Sequence, residues 1–302
     1  MNVLSLFDGM SCGQIALERV GIKVDKYYAS EIKRHAIQVT MKNYPDTIQV
    51  GDVTKVNSSD LPKIDLLGGG SLCQDFSQAN KVREGYKGDK SSLFFEYVRL
   101  LKECNPKYFL LENVRMKKEH EDFISNKLGV KPIIINSSLV SAQLRHRLYW
   151  TNIPNITQPE DKKIILNDVL DCGYSDRYKA RVLLESDSRP LKSPIKMAHR
   201  YFNTGFTTLI FKNKEHFYEV KKHFDLHFKG KTAKEIDLIS KNIDLSIYGG
   251  VRYLTKNERE KCQTMPEKYT EILSDNDASC VLGDGWTVDV VAHILKGITE
   301  DK

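Results

Sequence analysis

Short apolar runs alternate with helix-like segments through the first half of this 302-residue chain. Such alternation predicts a mostly parallel sheet with helices on both faces. The runs contain few polar residues, as expected for strands that are covered on both sides. We predict seven strands, at Val3–Phe7, Lys26–Ala29, Ile48–Val50, Ile64–Leu67, Tyr108–Leu111, Ile133–Ile135 and Leu148–Trp150. Helices are predicted at Gln14–Val20, Ile32–Lys42, Leu93–Glu103 and Glu119–Lys127.

The alternation fades from about Pro154 to Tyr248, where aromatic and basic residues are interleaved. This segment predicts a smaller domain, 154–248, of irregular or β-rich structure. Residues 1–153 and 249–302 would then form one larger α/β domain. In its second part, Thr255 and Glu258 have the spacing of a capping box, which predicts a helix that ends before Pro266. Apolar residues at helical spacing predict another helix within 286–298.

Charge is distributed unevenly along the chain. The net charge is +6, but residues 177–234 contain 14 Lys and Arg against 5 Asp and Glu, a local balance of +9. A basic module on a slightly acidic body suits a polyanionic partner. A solvated lysine-rich surface would give the same balance.

The six cysteines are widely scattered and include no C-x-x-C pair. Neither a disulfide framework nor a zinc site is indicated, and we expect a reducing cytoplasm. The first residues lack the features of a secretory signal. No uninterrupted apolar run approaches the roughly 20 residues of a membrane helix, so we expect no membrane partner.

Several polar groups follow the predicted strands directly. A turn containing Gly9 comes after the first strand, Glu31 after the second and Asp52 after the third. Glycine allows a ligand to approach the backbone, a helix N-terminus offers free N–H groups, and Glu31 can accept hydrogen bonds from ribose hydroxyls. Either carboxylate alone could simply cap a helix. Together, on three successive strand ends, they favour an adenosine-containing ligand.

The fourth and fifth strands also lead into reactive groups. Cys73 follows three glycines, and its polar neighbours favour an exposed nucleophile over a buried apolar thiol. Glu112 ends a buried strand, either as an ion-pair member or as a general acid. Arg145 and Arg147 would share one side of an extended segment, placed to bind phosphate or a base carbonyl or to form surface salt bridges.

In this order and spacing, the chain resembles the DNA (cytosine-5)-methyltransferase family. The resemblance rests on Asp8-Gly9-x-Ser11-x-Gly13, Glu31, Asp52, Gly70-Ser71-x-Cys73-Gln74, Glu112-Asn113-Val114 and Gln143-x-Arg145-x-Arg147. It resumes at Arg252-x-Leu254-Thr255-x-x-Glu258 through Gln263-x-x-Pro266, and ends at Gly283-x-Gly285-Trp286-Thr287-Val288. It covers nearly all of the chain except the aromatic and basic insert, which lies where the family has its variable target-recognition domain.

The resemblance implies a Rossmann-like catalytic domain that binds S-adenosylmethionine, releases S-adenosylhomocysteine and uses no metal. The implied cofactor pocket comprises Phe7, Asp8, Gly9, Met10, Ser11, Cys12, Glu31, Asp52, Val53 and Trp286. Cys73 would attack carbon 6 of a cytosine flipped out of the duplex. Glu112 would bond ring nitrogen 3, while Arg145 and Arg147 would hold the carbonyl oxygen. The implied role is DNA methylation of the bacterial or phage restriction–modification type.

One position departs from the family pattern. The family has proline immediately before the nucleophile, and this chain has Leu72. Leucine leaves the loop less restricted, so slower activity is expected. Two alternatives stay open: a catalytically impaired protein that binds DNA and cofactor, and a methyltransferase that acts on RNA cytosine. Duplex DNA is the expected partner, and a monomer is compatible with the chain length.

Overall fold

The computed structural model describes residues 1–70, 92–184, 193–205 and 207–301. The strands there are β1 (Asn2–Leu6), β2 (Lys26–Ser30), β3 (Ile48–Gln49), β4 (Leu66–Gly70), β5 (Tyr108–Val114), β6 (Ile133–Asn136) and β7 (His146–Thr151). The helices of the first half are α1 (Cys12–Arg19), α2 (Arg34–Asn43), α3 (Ser92–Cys104) and α4 (Lys118–Leu128). Those of the second half are α5 (Leu166–Val169), α6 (Pro194–Phe202), α7 (Lys214–His227), α8 (Ala233–Ile239), α9 (Lys256–Cys262), α10 (Asp275–Asp284) and α11 (Val288–Glu300).

The seven strands form one sheet in the order β3-β2-β1-β4-β5-β7-β6. The five strands from β3 to β5 are parallel, whereas β7 runs antiparallel to both β5 and β6. The direction in which the chain adds strands reverses between β1 and β4. Ligands of open α/β sheets bind at such a switch point, outside the carboxyl ends of the strands. The predicted Rossmann-like α/β fold is confirmed.

The strand that leads toward Cys73 is longer than its apolar run. Leu66 and Leu67 are buried as predicted, and the strand continues through three glycines to Gly70. It can do so because β4 pairs with β1 on one side and with β5 on the other, where Gly70 lies opposite Glu112. The ladder hydrogen bonds thus offset the weak strand preference of glycine.

The last helix packs against the first. Eight residues of α11 are buried, and α11 contacts α1. Within the described residues, the stretch Asp275–Glu300 has a length and apolar content compatible with a membrane span, but 67 % of its most apolar window is buried inside the protein. Such burial is typical of core helices.

The chain divides into two compact units according to its internal contacts. The first contains Met1–Val140, Arg145–Asp161 and Gly285–Lys302, and the second contains Ser141–Leu144 and Lys162–Asp284. The first unit contains the whole sheet. The division differs from the predicted domains at residues 141–144 and 249–284, which belong to the second unit, and at residues 154–161, which belong to the first.

Helices are the main regular secondary structure of the second unit where it is described, and irregular segments connect them. The only β-structure among its described residues is three isolated bridges. Of the predicted irregular or β-rich structure for 154–248, the irregular segments are found and the β-rich structure is wrong. Most aromatic residues of the insert form a hydrophobic core, with Phe211, Phe224 and Phe228 almost fully buried. Each buried phenylalanine contributes about 1.5–3 kcal/mol. Helix faces that share this core account for the aromatic pattern without a sheet. The predicted capping box of Thr255 and Glu258 is confirmed at the start of α9.

Candidate active site

The turn after β1 has an unusual backbone. Phe7, Gly9 and Ser11 all have positive φ angles, of 55°, 62° and 60°. Two of the three are not glycine, so the surrounding contacts must hold this conformation. Nothing lies within 4 Å of a Cβ built on Gly9. The turn therefore has open space beside Gly9, while contacts with the surrounding protein hold its other residues.

The Asp8 carboxylate holds this turn together from inside. It accepts a hydrogen bond from the Tyr27 hydroxyl at 2.7 Å and another from the Ser11 hydroxyl. Thr40 in turn donates to Ser11 Oγ at 3.1 Å. Burial raises the pKa of Asp8 to about 6, against the lowering effect of its hydrogen bonds. We therefore describe Asp8 as an internal anchor of the turn.

Glu31 joins the turn to the end of β2. Its Oε2 accepts from the Gly9 N–H at 2.8 Å, and its Oε1 accepts from the N–H groups of Ile32 and Lys33 at 2.7 and 2.8 Å. A carboxylate has about four acceptor positions, so roughly one stays available to a ligand hydroxyl. The adjacent Ile32 is 72 % exposed, which leaves an apolar surface beside this carboxylate.

Other residues predicted to bind the cofactor are buried or bonded locally. Met10, Ser11, Cys12 and Val53 are at most 4 % exposed. Asp52 caps a short 3-10 turn and accepts from the Thr54 N–H at 3.0 Å. The hydrogen bonds from Thr54 lower the pKa of Asp52. The capping interpretation of Asp52 therefore accounts for its visible contacts.

Trp286 lies over the end of β4. A Cβ built on Gly70 would be 2.8 Å from Trp286 Nε1 and 3.3 Å from Glu112 Oε2. Cβ atoms built on Gly13 and Gly68 would be 3.7 and 3.9 Å from the ring carbons of the same indole. Glycine at position 70 thus allows the indole and the carboxylate to approach one strand end together.

Glu112 forms an ion pair at the same edge. Its Oε1 is 2.8 Å from Arg147 Nε, and both side chains are largely buried. This oxygen accepts no hydrogen bond from the described residues. Arg147 lies at the start of β7, which is antiparallel to β5 and therefore begins where β5 ends. The pair leaves acceptor capacity on Glu112 that a ligand N–H could use.

Arg145 has different surroundings from Arg147. It is 3 % exposed, and its Nη2 donates to the Gly285 carbonyl at 2.8 Å. The prediction that the two arginines share one side assumed an extended strand, but β7 begins only at His146. Gln143, from the same motif, donates to the Cys262 carbonyl and to Gln263 Oε1 within the second unit.

Cys73 and its neighbours Ser71, Leu72 and Gln74 lie outside the described residues. The nucleophile therefore stays a prediction from the sequence. Among the described ranges, no group of three or more His, Cys, Asp or Glu side chains could hold a metal ion.

Sequence reasoning missed two contributors to the site, Tyr27 and Ile32, and one contact of a residue that it had named, Gly70. Tyr27 lies in a strand and gives no signal of its hydroxyl contact. Ile32 follows a predicted ligand-binding carboxylate, so its position along the chain was an available signal. The close contact of Gly70 depends on Trp286, which is distant in sequence.

Comparison with known proteins identifies the family of the chain. The profile of the C-5 cytosine-specific DNA methylases matches residues 1–300. The orphan methyltransferase M.Rho11sI of Bacillus phage rho11s is 32 % identical over 189 residues, which are 57 % of this chain and 37 % of the phage protein. The type II methyltransferase M1.ScrFI of Lactococcus lactis subsp. cremoris is 28 % identical over 320 residues, covering 99 % of this chain and 78 % of that protein.

A solved structure shares the fold. The methyltransferase EhMeth of Entamoeba histolytica superposes with a TM-score of 0.70 at 18 % identity, over 100 % of this chain and 98 % of EhMeth. Because the family profile matches almost every residue, from the start of β1 to the end of α11, this chain belongs to the C-5 cytosine-specific DNA methylases.

Proposed function

We propose that this protein transfers a methyl group from S-adenosylmethionine to carbon 5 of a cytosine flipped out of duplex DNA. The observation that carries the proposal is the meeting of two groups of residues at one edge of the sheet. Glu31 and the open turn at Gly9 follow β2 and β1, and the Glu112–Arg147 pair lies at β5 and β7. Trp286 lies between them, against Gly70.

The residues on the cofactor side fit an adenosine-containing ligand. Glu31 has acceptor capacity for a ribose hydroxyl, and Ile32 offers an exposed apolar surface to a base. The open side of the Gly9 turn allows a ligand to approach the backbone. When bound, S-adenosylmethionine supplies an electrophilic methyl group. We assign its binding to Phe7, Gly9, Glu31, Ile32 and Trp286, with Asp8, Met10, Ser11, Cys12, Asp52 and Val53 as the supporting wall.

We assign the nucleophile to Cys73. Its thiolate would form a bond from Sγ to carbon 6 of cytosine, which makes carbon 5 electron-rich and able to accept the methyl group. Carbon 5 would take the methyl group, with S-adenosylhomocysteine as the leaving group. Loss of the carbon-5 proton to water and rupture of the bond between Sγ and carbon 6 would then restore the aromatic ring and release the thiolate. None of these reaction steps needs a metal ion.

Glu112 and Arg147 would act on the edge of the cytosine that carries nitrogen 3 and the carbonyl oxygen, away from carbons 5 and 6. As a general acid, Glu112 can donate a proton to ring nitrogen 3 and so offset the negative charge that develops on the ring when carbon 6 is attacked. Arg147 would bind the carbonyl oxygen of the cytosine while it pairs with Glu112. Arg145 shares a segment with Arg147 but contacts Gly285, so we assign it a supporting position.

DNA affinity would come mainly from the basic segment 177–234, within the proposed target-recognition domain 154–248. Neutralisation of DNA phosphates releases counterions, so binding should weaken steeply with salt. Lys221 and Lys222 offer a matched test. Lys221 pairs with Asp225, whereas Lys222 is exposed and has no ion pair among the described residues. If Lys222 contacts phosphate, Lys222→Gln should reduce the salt slope by about 0.9, and Lys221→Gln by less.

The decisive test is transfer of labelled methyl from S-adenosylmethionine to mixed-sequence duplex DNA, with structured RNA as competitor. We expect labelled DNA, little effect of RNA and no label with Cys73→Ser. If RNA is labelled in preference to DNA, the substrate is RNA and the proposed DNA substrate is wrong. If the protein binds DNA and cofactor without turnover, and Cys73→Ala does not change this binding, the protein is a catalytically impaired relative. Leu72 would then be the first residue to test as the cause.

We place the enzyme in the cytoplasm of a bacterial host, encoded by the bacterium or a phage, in the restriction–modification context.

A further inference from the structure

The turn Gly285–Thr287 brings the Trp286 indole to the sheet edge. The indole fits where three glycines on two segments leave room for it, Gly13 in α1 and Gly68 and Gly70 in β4. A ring packed against two separate backbones can keep one position only if its own backbone is held. The contacts that hold this backbone therefore control where the indole lies.

Two buried side chains bond to this turn, one at each of its ends. Arg145 Nη2 donates to the Gly285 carbonyl at 2.8 Å, and Ser137 Oγ donates to Thr287 Oγ1 at 2.9 Å. Arg145 and Ser137 are each at most 3 % exposed. Water is thus excluded from these bonds, which makes each of them costly to lose.

Ser137 and Arg145 are also bonded to each other through the backbone. The Ser137 N–H donates to the Arg145 carbonyl at 3.0 Å, and the Arg145 N–H donates to Asn136 Oδ1 at 3.1 Å. These bonds lie where β6 ends and β7 is about to begin. Ser137 and Arg145 therefore form one support that contacts the turn at both its ends. Arg147, two residues beyond Arg145, pairs with Glu112.

We propose that Ser137 and Arg145 are positioning residues that fix Trp286 through the Gly285–Thr287 turn and so preorganise the cofactor side of the site. The inference rests on the proposed function. Loss of either contact frees the turn, and the ligand must then pay the entropy of ordering the indole. The effect should fall on cofactor affinity. Turnover of a Ser137 variant at saturating cofactor should stay close to that of the parent, because the Ser137 hydroxyl bonds to Thr287 in the turn.

The test uses tryptophan emission, because the chain has only two tryptophans. The emission of Trp286 is obtained as the difference between each protein and its Trp286→Phe counterpart, since Trp150 is buried in the core and common to both. Ser137→Ala removes one hydroxyl and is compared with Ser138→Ala, the same change at the more exposed neighbour. Acrylamide quenching, affinity for S-adenosylhomocysteine, and KM and kcat for methyl transfer are measured for each.

We expect Ser137→Ala to red-shift Trp286 emission, to raise its quenching constant about twofold and to weaken S-adenosylhomocysteine binding roughly five- to tenfold. kcat should stay within about twofold of the parent, and Ser138→Ala should leave emission and affinity unchanged. Arg145→Lys should shift the emission and the affinity in the same direction. If it does not fold, Ser137→Ala still decides the question.

Unchanged emission and affinity in Ser137→Ala would overturn the inference. A fall in kcat with unchanged affinity would do the same, because it would place Ser137 on the reaction side. A parent protein that does not bind S-adenosylhomocysteine would instead refute the proposed function, and the emission comparison would still show whether Ser137 holds the indole.

Discussion

Glu112 Oε1 lies 2.8 Å from Arg147 Nε, at the edge of the sheet where β5 ends and β7 begins. Removal of one member of a largely buried pair leaves the other charge without compensation. We expect Arg147→Gln to lower the free energy of unfolding by on the order of 3 kcal/mol, and the double variant Glu112→Gln/Arg147→Gln to recover part of this loss. Urea unfolding of the parent, both single variants and the double variant measures the coupling. Additive losses would show that the pair contributes nothing as a pair.

A side chain at position 70 is predicted to destabilise the protein, because a Cβ there would lie 2.8 Å from Trp286 Nε1. Gly70→Ala should lower the free energy of unfolding by about 1–3 kcal/mol through overpacking and should displace the indole. Gly68→Ala is the matched control on the same strand, since its Cβ would meet Trp286 at an ordinary 3.9 Å. Thermal unfolding and tryptophan emission of both variants provide the comparison. Equal effects in the two variants would argue against the close contact at Gly70.

Glu31 is expected to control cofactor affinity. Glu31→Ala removes the acceptor for the Gly9 and Ile32 N–H groups, and the turn loses its link to β2. Affinity for S-adenosylhomocysteine should fall at least about tenfold, which corresponds to roughly 1.4 kcal/mol. Calorimetric titration measures this, with Glu18→Ala as control because Glu18 accepts from Tyr44 on the exposed surface. Unchanged affinity in Glu31→Ala would contradict the assignment.

Asp8 should make stability depend on pH in a defined direction. Burial raises the pKa of Asp8 from 3.8 to about 6, so the folded protein holds this proton more tightly than the unfolded chain does. The resulting stabilisation is complete below the unfolded pKa and is lost as pH rises through about 6. As pH rises from 4 to 7, the free energy of unfolding of Asp8→Asn should therefore increase relative to that of the parent, by about 3 kcal/mol.

The measurement for Asp8 is urea unfolding of parent and variant across this pH range. Asp25 provides a control of opposite sign, because its hydrogen bond with the N-terminal amine lowers its pKa. Asp25→Asn should lose stability relative to the parent as pH rises. A difference between Asp8→Asn and the parent that does not change with pH would show that Asp8 titrates normally.

The first half of the fold follows closely from the sequence, because strands covered on both faces produce continuous apolar runs. β2 and β6 begin at the predicted residues, and the capping box opens α9 as predicted. The insert was harder to predict because its aromatic residues pack inside a helical core, with Phe224 and Phe228 fully buried, and their spacing alone does not distinguish a core from a binding surface.

For the candidate site too, features set by local sequence could be predicted, and features set by distant contacts could not. Glu31 and Glu112 could be predicted because strand ends of a parallel sheet share one edge. The different surroundings of Arg145 and Arg147 could not, since they depend on where β7 begins and on the Gly285 carbonyl, 140 residues away. Asp8 gave the signal of a ligand-binding residue, but its oxygens are used by Ser11 and Tyr27.

The central claim concerns the thiol of Cys73, and a covalent adduct with DNA tests it most directly. Fluorine at carbon 5 of cytosine cannot leave as a proton does, so an enzyme that attacks carbon 6 should stay bound after methyl transfer. Parent protein, S-adenosylmethionine and mixed-sequence duplex DNA containing 5-fluorocytosine are combined, and a denaturing gel is run. We predict a denaturation-resistant complex with the parent and none with Cys73→Ser. No adduct with a parent that methylates ordinary DNA, or an adduct that persists in Cys73→Ser, would contradict the account.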